Sequence, residues 1–358
     1  MRRLLLAYLY CNLGGVTSVL KQRMPTLRPE GWSVDAIFRA DYGGASDLES
    51  AGVDKIVIAG RKLVKVTTRE LRATSYDAVT IVDTPELIAP VRASFSGNLI
   101  YEIHTPVGRV LEMNAADDLS RCDLILVPSA WSKRWVLAHF PSLGSDLIRV
   151  CPNIVSDREF RPDGANAGIG GHPEILWVGK LALYKNWREA VRIAGLMAAG
   201  RSISFTIVTG GLVDQKRAEE LLTEWLAAGI TDRARWLHNL PLSAMADLYR
   251  QAARSGGALL STSLNESFCL AIHEALRCGL PVVATRVGAC PEIVRHEISG
   301  LLYEPGEDAV ASAHVERLLT DREFRAHVMR GAAAALADYD EQELASRYLG
   351  LLEGNDAL

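Results

Sequence analysis

Residues 258–285 read ALLSTSLNESFCLAIHEALRCGLPVVAT, and this stretch decides the fold class. It begins with a short apolar run and a polar segment, which predict a buried strand followed by a loop. Residues 268–278 have the spacing of an amphipathic helix, which Gly279 and Pro281 bring to an end. A second apolar run follows, so the stretch predicts a strand, a helix and a parallel strand.

The same alternation of apolar runs and amphipathic stretches extends along the whole chain of 358 residues. At roughly 100–200 residues per domain, this length predicts two domains that each bury a core. Glycine and proline are concentrated at 161–172, and we predict the linker there. The sequence therefore predicts an α/β protein of two Rossmann-like domains, over 1–160 and 173–337, which face each other across a cleft.

Composition and charge exclude several classes of protein. Apolar residues make up 49% of the chain and charged residues 23%, as in ordinary globular proteins. The 43 acidic and 39 basic side chains give a net charge of −4, so we expect no nucleic-acid partner. The N-terminal apolar run is short for a signal peptide, and no stretch of the sequence reaches the ~20 apolar residues of a membrane helix.

Cysteines and histidines form no pattern typical of a metal site. The six cysteines include no Cys-x-x-Cys pair, so we predict buried, reduced thiols in a cytoplasmic protein. Asp338 and Asp340 form an Asp-x-Asp pattern, but they follow an alanine-rich helix, which favours a helix cap over a metal site. We expect neither a metal ion nor another bound cofactor.

The helix at 268–278 has features of a ligand site. Helical spacing places Ser267, Leu270 and Glu274 on one face. Ser267 and Asn265 are suited to cap the helix, and its first amides suit an anion such as a diphosphate. A carboxylate accepts two hydrogen bonds side by side, so Glu266 or Glu274 suits a vicinal diol. On spacing alone, a capped helix with one solvated glutamate is the favoured interpretation.

Residues 265–285, continued by 288–302, resemble the donor-binding segment of family 4 glycosyltransferases. These are retaining enzymes with the GT-B fold that use nucleotide sugars. Glu266 and Glu274, eight positions apart, match the paired glutamates of that family. The resemblance implies that Glu274 holds the ribose hydroxyls and that Glu266 contacts the donor sugar. The GT-B plan also implies that residues 338–358 return to the N-terminal domain.

Further matches follow in the order of the family. Lys180 and Lys185 resemble an arginine and a lysine, five apart, that hold the donor diphosphate, and two cations suit a leaving pyrophosphate. Lys180 replaces the usual arginine, and Asn186 and Cys269 replace usual glycines. The resemblance implies these donor-binding residues: Gly14, Gly15, Lys180, Lys185, His238, Asn239, Glu266, Ser267, Phe268, Cys269, Leu270 and Glu274. It implies three catalytic residues: His104 by the anomeric carbon and the acceptor, Glu266 and Lys185.

The sequence thus predicts a metal-independent retaining glycosyltransferase. The donor is a UDP-, GDP-, ADP- or dTDP-sugar, and the acceptor is a hydroxyl group of a small molecule, natural product, lipid or glycan. A nucleotide-sugar epimerase, a phosphorylase and a non-catalytic binder are alternatives. An NAD(P) oxidoreductase is disfavoured because the glycine fingerprint is missing. Trp131 and Trp135 lie on one predicted helix, and we expect its apolar face to pack in the core. Contact of this face with a membrane surface is the alternative.

Overall fold

The computed structural model describes residues 2–162 and 171–354 and divides into two compact units. Unit 1 comprises Met1–Ile154 and Glu341–Leu358, and unit 2 comprises Val155–Asp340. Most of the predicted linker, residues 163–170, and the predicted C-terminal residues 355–358 lie outside the described residues.

Unit 1 is built on a parallel sheet, which has seven strands within the described residues. The strands are β1 (Arg2–Asn12), β2 (Trp32–Tyr42), β3 (Lys55–Ile58), β4 (Ala78–Val82), β5 (Asn98–Glu102), β6 (Leu124–Val127) and β7 (Ile148–Val150). Their order is β3-β2-β1-β4-β5-β6-β7, so the direction of winding reverses between β1 and β4. The central strands are buried on both faces, which is why β1 and β6 are continuous apolar runs.

Helices cover both faces of this sheet. They are α1 (Gly15–Leu27), α2 (Ala45–Ala51), α3 (Leu63–Ala73), α4 (Ile88–Arg92), α5 (Gly108–Leu111), α6 (Ala116–Leu119) and α7 (Ala130–His139). One apolar cluster includes Leu20 and Met24 of α1, and the cluster on the other face includes Leu87 and Val136. Alternate strand residues contribute to the two clusters, as the period of a strand requires.

Unit 2 repeats this plan, with six parallel strands among the residues described. The strands are β8 (Glu174–Val178), β9 (Ser204–Thr209), β10 (Ala234–His238), β11 (Ala258–Ser261), β12 (Val282–Thr285) and β13 (Leu301–Tyr303), in the order β10-β9-β8-β11-β12-β13. The helices are α8 (Trp187–Gly200), α9 (Gln215–Ala227), α10 (Leu242–Arg254), α11 (Leu270–Arg277), α12 (Cys290–Ile293), α13 (Asp308–Thr320) and α14 (Arg322–Leu336). Residues 258–285 form β11, α11 and β12, and the prediction of two Rossmann-like domains is confirmed.

The last helix, α15 (Glu341–Leu352), belongs to unit 1. Its residues Tyr348, Leu351 and Leu352 join the apolar cluster beneath α1. The Asn98 side chain donates hydrogen bonds to the carbonyls of Leu351 and Leu352, each at 3.0 Å. Within the described part of the chain, every helix is too short or too polar to cross a membrane.

Candidate active site

Two loops of unit 2 are joined at the carboxyl ends of β8 and β11, which are neighbours in the sheet. The hydroxyl of Thr262, directly after β11, donates to the carbonyl of Asn186 at 2.9 Å. The amide of Leu264 donates to the carbonyl of Tyr184 at 2.7 Å. Parallel α/β sheets bind ligands at this edge, where the winding reverses. These bonds therefore assemble the loops where a ligand is expected.

The joined loops place Lys185 beside Glu266. Lys185 Nζ lies 2.5 Å from Glu266 Oε1, and the Ser263 hydroxyl donates to the same oxygen at 2.7 Å. The side chains of Lys185 and Glu266 are 20% and 11% exposed, so solvent reaches the pair. Burial lowers the pKa of Lys185, but the interactions with Glu266 and Tyr184 together outweigh burial and keep that pKa above its ordinary value. A permanent cation beside a carboxylate suits a diphosphate and sugar hydroxyls.

A glycine allows another loop to pack on the backbone of Glu266. Gly288 has a positive φ of 54°, and a Cβ there would lie 2.2 Å from the Glu266 carbonyl oxygen. The next amide, that of Ala289, donates to the same carbonyl at 2.8 Å. Any side chain at position 288 would therefore displace the loop after β12 from Glu266.

Two residues at this site adopt the left-handed backbone conformation that favours glycine. Asn186 has φ 51° and Cys269 has φ 65°. Asparagine enters this region at low cost, and the side-chain Nδ2 of Asn186 also donates to Glu189 Oε2 at 2.5 Å. The Cys269 thiol is buried, and its Sγ lies 3.0 Å from that of Cys290. The backbone conformation explains why the family resemblance expects glycine at both positions.

The helix α11 begins at Leu270, two residues later than the sequence predicts. A left-handed Cys269 is incompatible with a helix interior, and this residue is the N-cap. The prediction that Ser267 or Asn265 caps the helix is therefore wrong. Asn265 Oδ1 instead accepts a hydrogen bond from the amide of Glu266 at 3.0 Å.

Glu274 lies on the buried face of α11. The Tyr249 hydroxyl donates to Glu274 Oε2 at 3.0 Å. Burial raises the pKa of Glu274 to about 8, although the hydrogen bond from Tyr249 acts in the opposite direction. The carboxyl is therefore mostly protonated at neutral pH and ionises in mildly alkaline solution. Nearby, the Phe268 ring stacks on His273 with 4.2 Å between centroids, which holds the start of the helix.

The other predicted donor residues of unit 2 lie along the same sheet edge. His238 ends β10, two strands away from β8, and its Nδ1 lies 2.8 Å from the Thr209 hydroxyl. Oδ1 of Asn239 accepts a hydrogen bond from the amide of Gly211 at 2.8 Å. Lys180 is half-buried in the loop after β8. These contacts join the loops after β9 and β10 into one surface.

Gly14, Gly15 and His104 belong to unit 1. The two glycines follow β1, and Gly15 is the first residue of α1. His104 follows β5, and its Nε2 lies 2.7 Å from Glu102 Oε2. Its amide donates to Asp83 Oδ1 at 3.0 Å. The histidine therefore lies at the carboxyl edge of the sheet with its ring and its backbone both held by carboxylates.

The structure adds contacts that sequence reasoning missed. Ser263 and Tyr249 bind the two predicted glutamates, and Glu102 binds the predicted histidine. A charged residue at the end of an apolar strand, two positions before His104, was a visible signal for Glu102. Nothing near Glu274 in the sequence points to Tyr249, because it comes from a different helix.

Residues 163–334 match the family model described as Glycosyl transferases group 1. The D-inositol 3-phosphate glycosyltransferase of Acidothermus cellulolyticus is 32% identical over 245 residues, which cover 65% of this chain and 53% of that protein. The chain thus spans about half the length of this curated relative. The family match covers just under half of the chain, lies within unit 2 and is consistent with the predicted glycosyltransferase.

Two solved structures cover nearly the whole chain. Anabaena HepE in complex with UDP and glucose has a TM-score of 0.82 at 17% identity, over 99% of this chain and 100% of that chain. Sucrose-phosphate synthase from Thermosynechococcus elongatus has a TM-score of 0.80 at 19% identity, over 99% of both chains. At such identities the likeness concerns the fold alone. The chain therefore has the GT-B fold, and the sequence of its residues 163–334 matches the family model of Glycosyl transferases group 1.

Proposed function

We propose that this chain is a retaining glycosyltransferase of family 4 type, which transfers a sugar from a nucleotide sugar to a hydroxyl acceptor without a metal ion. The observation that carries the proposal is the contact of Lys185 with Glu266 at 2.5 Å beside the start of α11. A fixed cation and helix amides bind a diphosphate, and a carboxylate binds sugar hydroxyls. The family match over the same residues supports this interpretation.

In this proposal each donor group has its own partners in unit 2. Lys180, Lys185 and the amides of 268–270 hold the diphosphate. Glu274 accepts hydrogen bonds from the ribose. Glu266 separates from Lys185 when the donor binds and then contacts the donor sugar. His238 and Asn239 lie on the surface assigned to the base. HepE was solved with UDP, which makes a UDP-sugar the first donor to test.

The reaction follows from these assignments. The bond between the anomeric carbon and the diphosphate oxygen breaks, and the acceptor oxygen forms a new bond to that carbon on the same face. The acceptor proton passes to the leaving diphosphate, so no protein base is needed. Lys180 and Lys185 stabilise the negative charge that develops on the diphosphate. His104 is assigned to the anomeric carbon and the acceptor.

Two measurements test this function. Thermal shifts with UDP-, GDP-, ADP- and dTDP-sugars are expected to identify one preferred donor base. With that donor and a panel of hydroxyl acceptors, NMR of the product is expected to show the anomeric configuration of the donor. An inverted product would contradict the retaining mechanism. Absence of any shift with nucleotide sugars, together with a shift from NAD(P), would overturn the proposed function.

A further inference from the structure

A buried ion pair lies directly beneath His104 in unit 1. Arg23 Nη1, from α1, lies 2.7 Å from Glu102 Oε1 and 2.9 Å from Glu102 Oε2. The side chains of Arg23 and Glu102 are 2% and 0% exposed. The guanidinium also lies over the Tyr348 ring of α15, 4.1 Å from its centroid. Arg23 therefore links α1 to Glu102 at the end of β5 and to Tyr348 of α15.

Such a pair contributes little to stability by itself. Removing two charges from water is costly, and apolar residues of the same volume often stabilise a core equally well. The pair does one thing that apolar residues cannot do, because Glu102 Oε2 also contacts His104 Nε2 at 2.7 Å. Its place at the end of β5 thus points to a role in holding the histidine.

The ionisation of Glu102 determines which ring nitrogen of His104 carries the proton. Burial raises the pKa of Glu102, but the interactions with Arg23 and His104 together outweigh burial and lower that pKa to about 2, so Glu102 is ionised. An ionised carboxylate only accepts hydrogen bonds, so His104 Nε2 must be the donor. The backbone is held separately, because Asp83 accepts bonds from the His104 amide at 3.0 Å and the Thr105 hydroxyl at 2.7 Å.

We propose that Glu102 is the positioning residue for His104 and that Arg23 holds Glu102 in place. The carboxylate fixes the ring orientation and keeps the proton on Nε2. The inference rests on the proposed function, in which His104 acts at the anomeric carbon.

The kinetic test is a cycle of variants with the preferred donor and acceptor. The variant Arg23→Met/Glu102→Leu keeps an uncharged core and is expected to lose on the order of 100-fold in kcat, with the donor KM within about twofold. In a His104→Ala background the same two changes should have no further effect. Losses that multiply in that background would overturn the proposal, because Glu102 would then act through the fold. Should the double variant not fold, Glu102→Gln enters the same cycle.

A second readout needs no activity. In the wild type, the His104 Nε2–H proton should give a resolved NMR signal that is protected from exchange and absent from His104→Ala. That signal should disappear in Arg23→Met/Glu102→Leu and persist in Asp35→Asn. Asp35 is the matched control, a buried carboxylate of the same sheet that pairs with Arg3 and Tyr76. A protected signal in the folded double variant would overturn the proposal. An inactive wild type with the expected signals would contradict the proposed function alone.

Discussion

Two cation–carboxylate pairs lie at the carboxyl edges of the two sheets, and they differ in their access to solvent. The side chains of Arg23 and Glu102 are 2% and 0% exposed, whereas those of Lys185 and Glu266 are 20% and 11% exposed. Arg23 contacts both oxygens of Glu102, and Lys185 contacts Oε1 of Glu266. A ligand can replace a partner only where it can reach the pair. We therefore assign the first pair to positioning and the second to ligand binding.

The largest effect is expected from breaking the buried pair. Arg23→Met leaves the Glu102 carboxylate buried without its guanidinium, and we expect a loss of about 3–5 kcal/mol in the free energy of unfolding. Urea unfolding followed by circular dichroism measures this loss. Adding Glu102→Leu should restore most of it, since no charge then remains unpaired. An equally unstable double variant would contradict this electrostatic explanation.

Breaking the partly exposed pair of Lys185 and Glu266 should reduce activity strongly and stability only slightly. Lys185→Ala removes the cation assigned to the diphosphate, and we expect transfer to fall about 10²–10³-fold. Stability should fall by less than in Arg23→Met, because solvent reaches part of this pair and none of the buried pair. Initial rates and thermal unfolding give the two values. The matched control is Lys55→Ala, which removes an exposed lysine paired with Glu70 at 2.8 Å in unit 1. A comparable loss of activity in the control would contradict a specific role of Lys185 in binding the diphosphate.

Glu274 should make donor binding depend on pH. With a pKa of about 8, its ionised fraction rises from about one tenth at pH 7 to about nine tenths at pH 9. Ribose hydroxyls bind the ionised form best, so donor affinity should rise roughly tenfold over this range. Calorimetric titration with the donor measures it. Glu274→Gln should bind weakly and without this dependence, and a flat wild-type profile would contradict the ribose assignment.

Ionisation of Glu274, which is expected to strengthen donor binding, should lower the stability of the fold. Its pKa is raised on folding, so its contribution is fully present below pH 4.5 and is lost as pH rises through about 8. Relative to wild type, Glu274→Gln should therefore gain stability between pH 6 and pH 9. Thermal unfolding of both proteins across this range measures the gain. A constant difference would show that Glu274 does not titrate near pH 8.

The smallest effect concerns the left-handed backbone at Cys269, beside the open pair. Alanine keeps a Cβ in this conformation, whereas glycine adopts it freely. We expect Cys269→Gly to be more stable than Cys269→Ala by about 1 kcal/mol, which reverses the usual order inside a helix. Chemical unfolding of the two variants gives the difference. A more stable alanine variant would indicate that position 269 leaves the left-handed region.

Much of the donor segment was predictable because its signals are local. The apolar runs of β11 and β12 and the stop at Gly279 lie within one stretch, and each acts on its own backbone. The start of α11 was mistaken by two residues because its capping expectation used polar side chains. The left-handed conformation of Cys269 sets the start of the helix instead. A cysteine in the sequence does not predict this backbone conformation.

The sequence by itself predicted the order of strands and helices and, through its family resemblance, Lys185, Glu266 and His104 as site residues. The tertiary structure alone decided which distant residues meet. Lys185 contacts Glu266 across 81 positions because β8 and β11 are neighbours in the sheet, and Arg23 contacts Glu102 across 79 positions. Periodicity arises from bonds between near neighbours in the chain. Charge pairing depends on strand order and burial, which exist only once the sheet has formed.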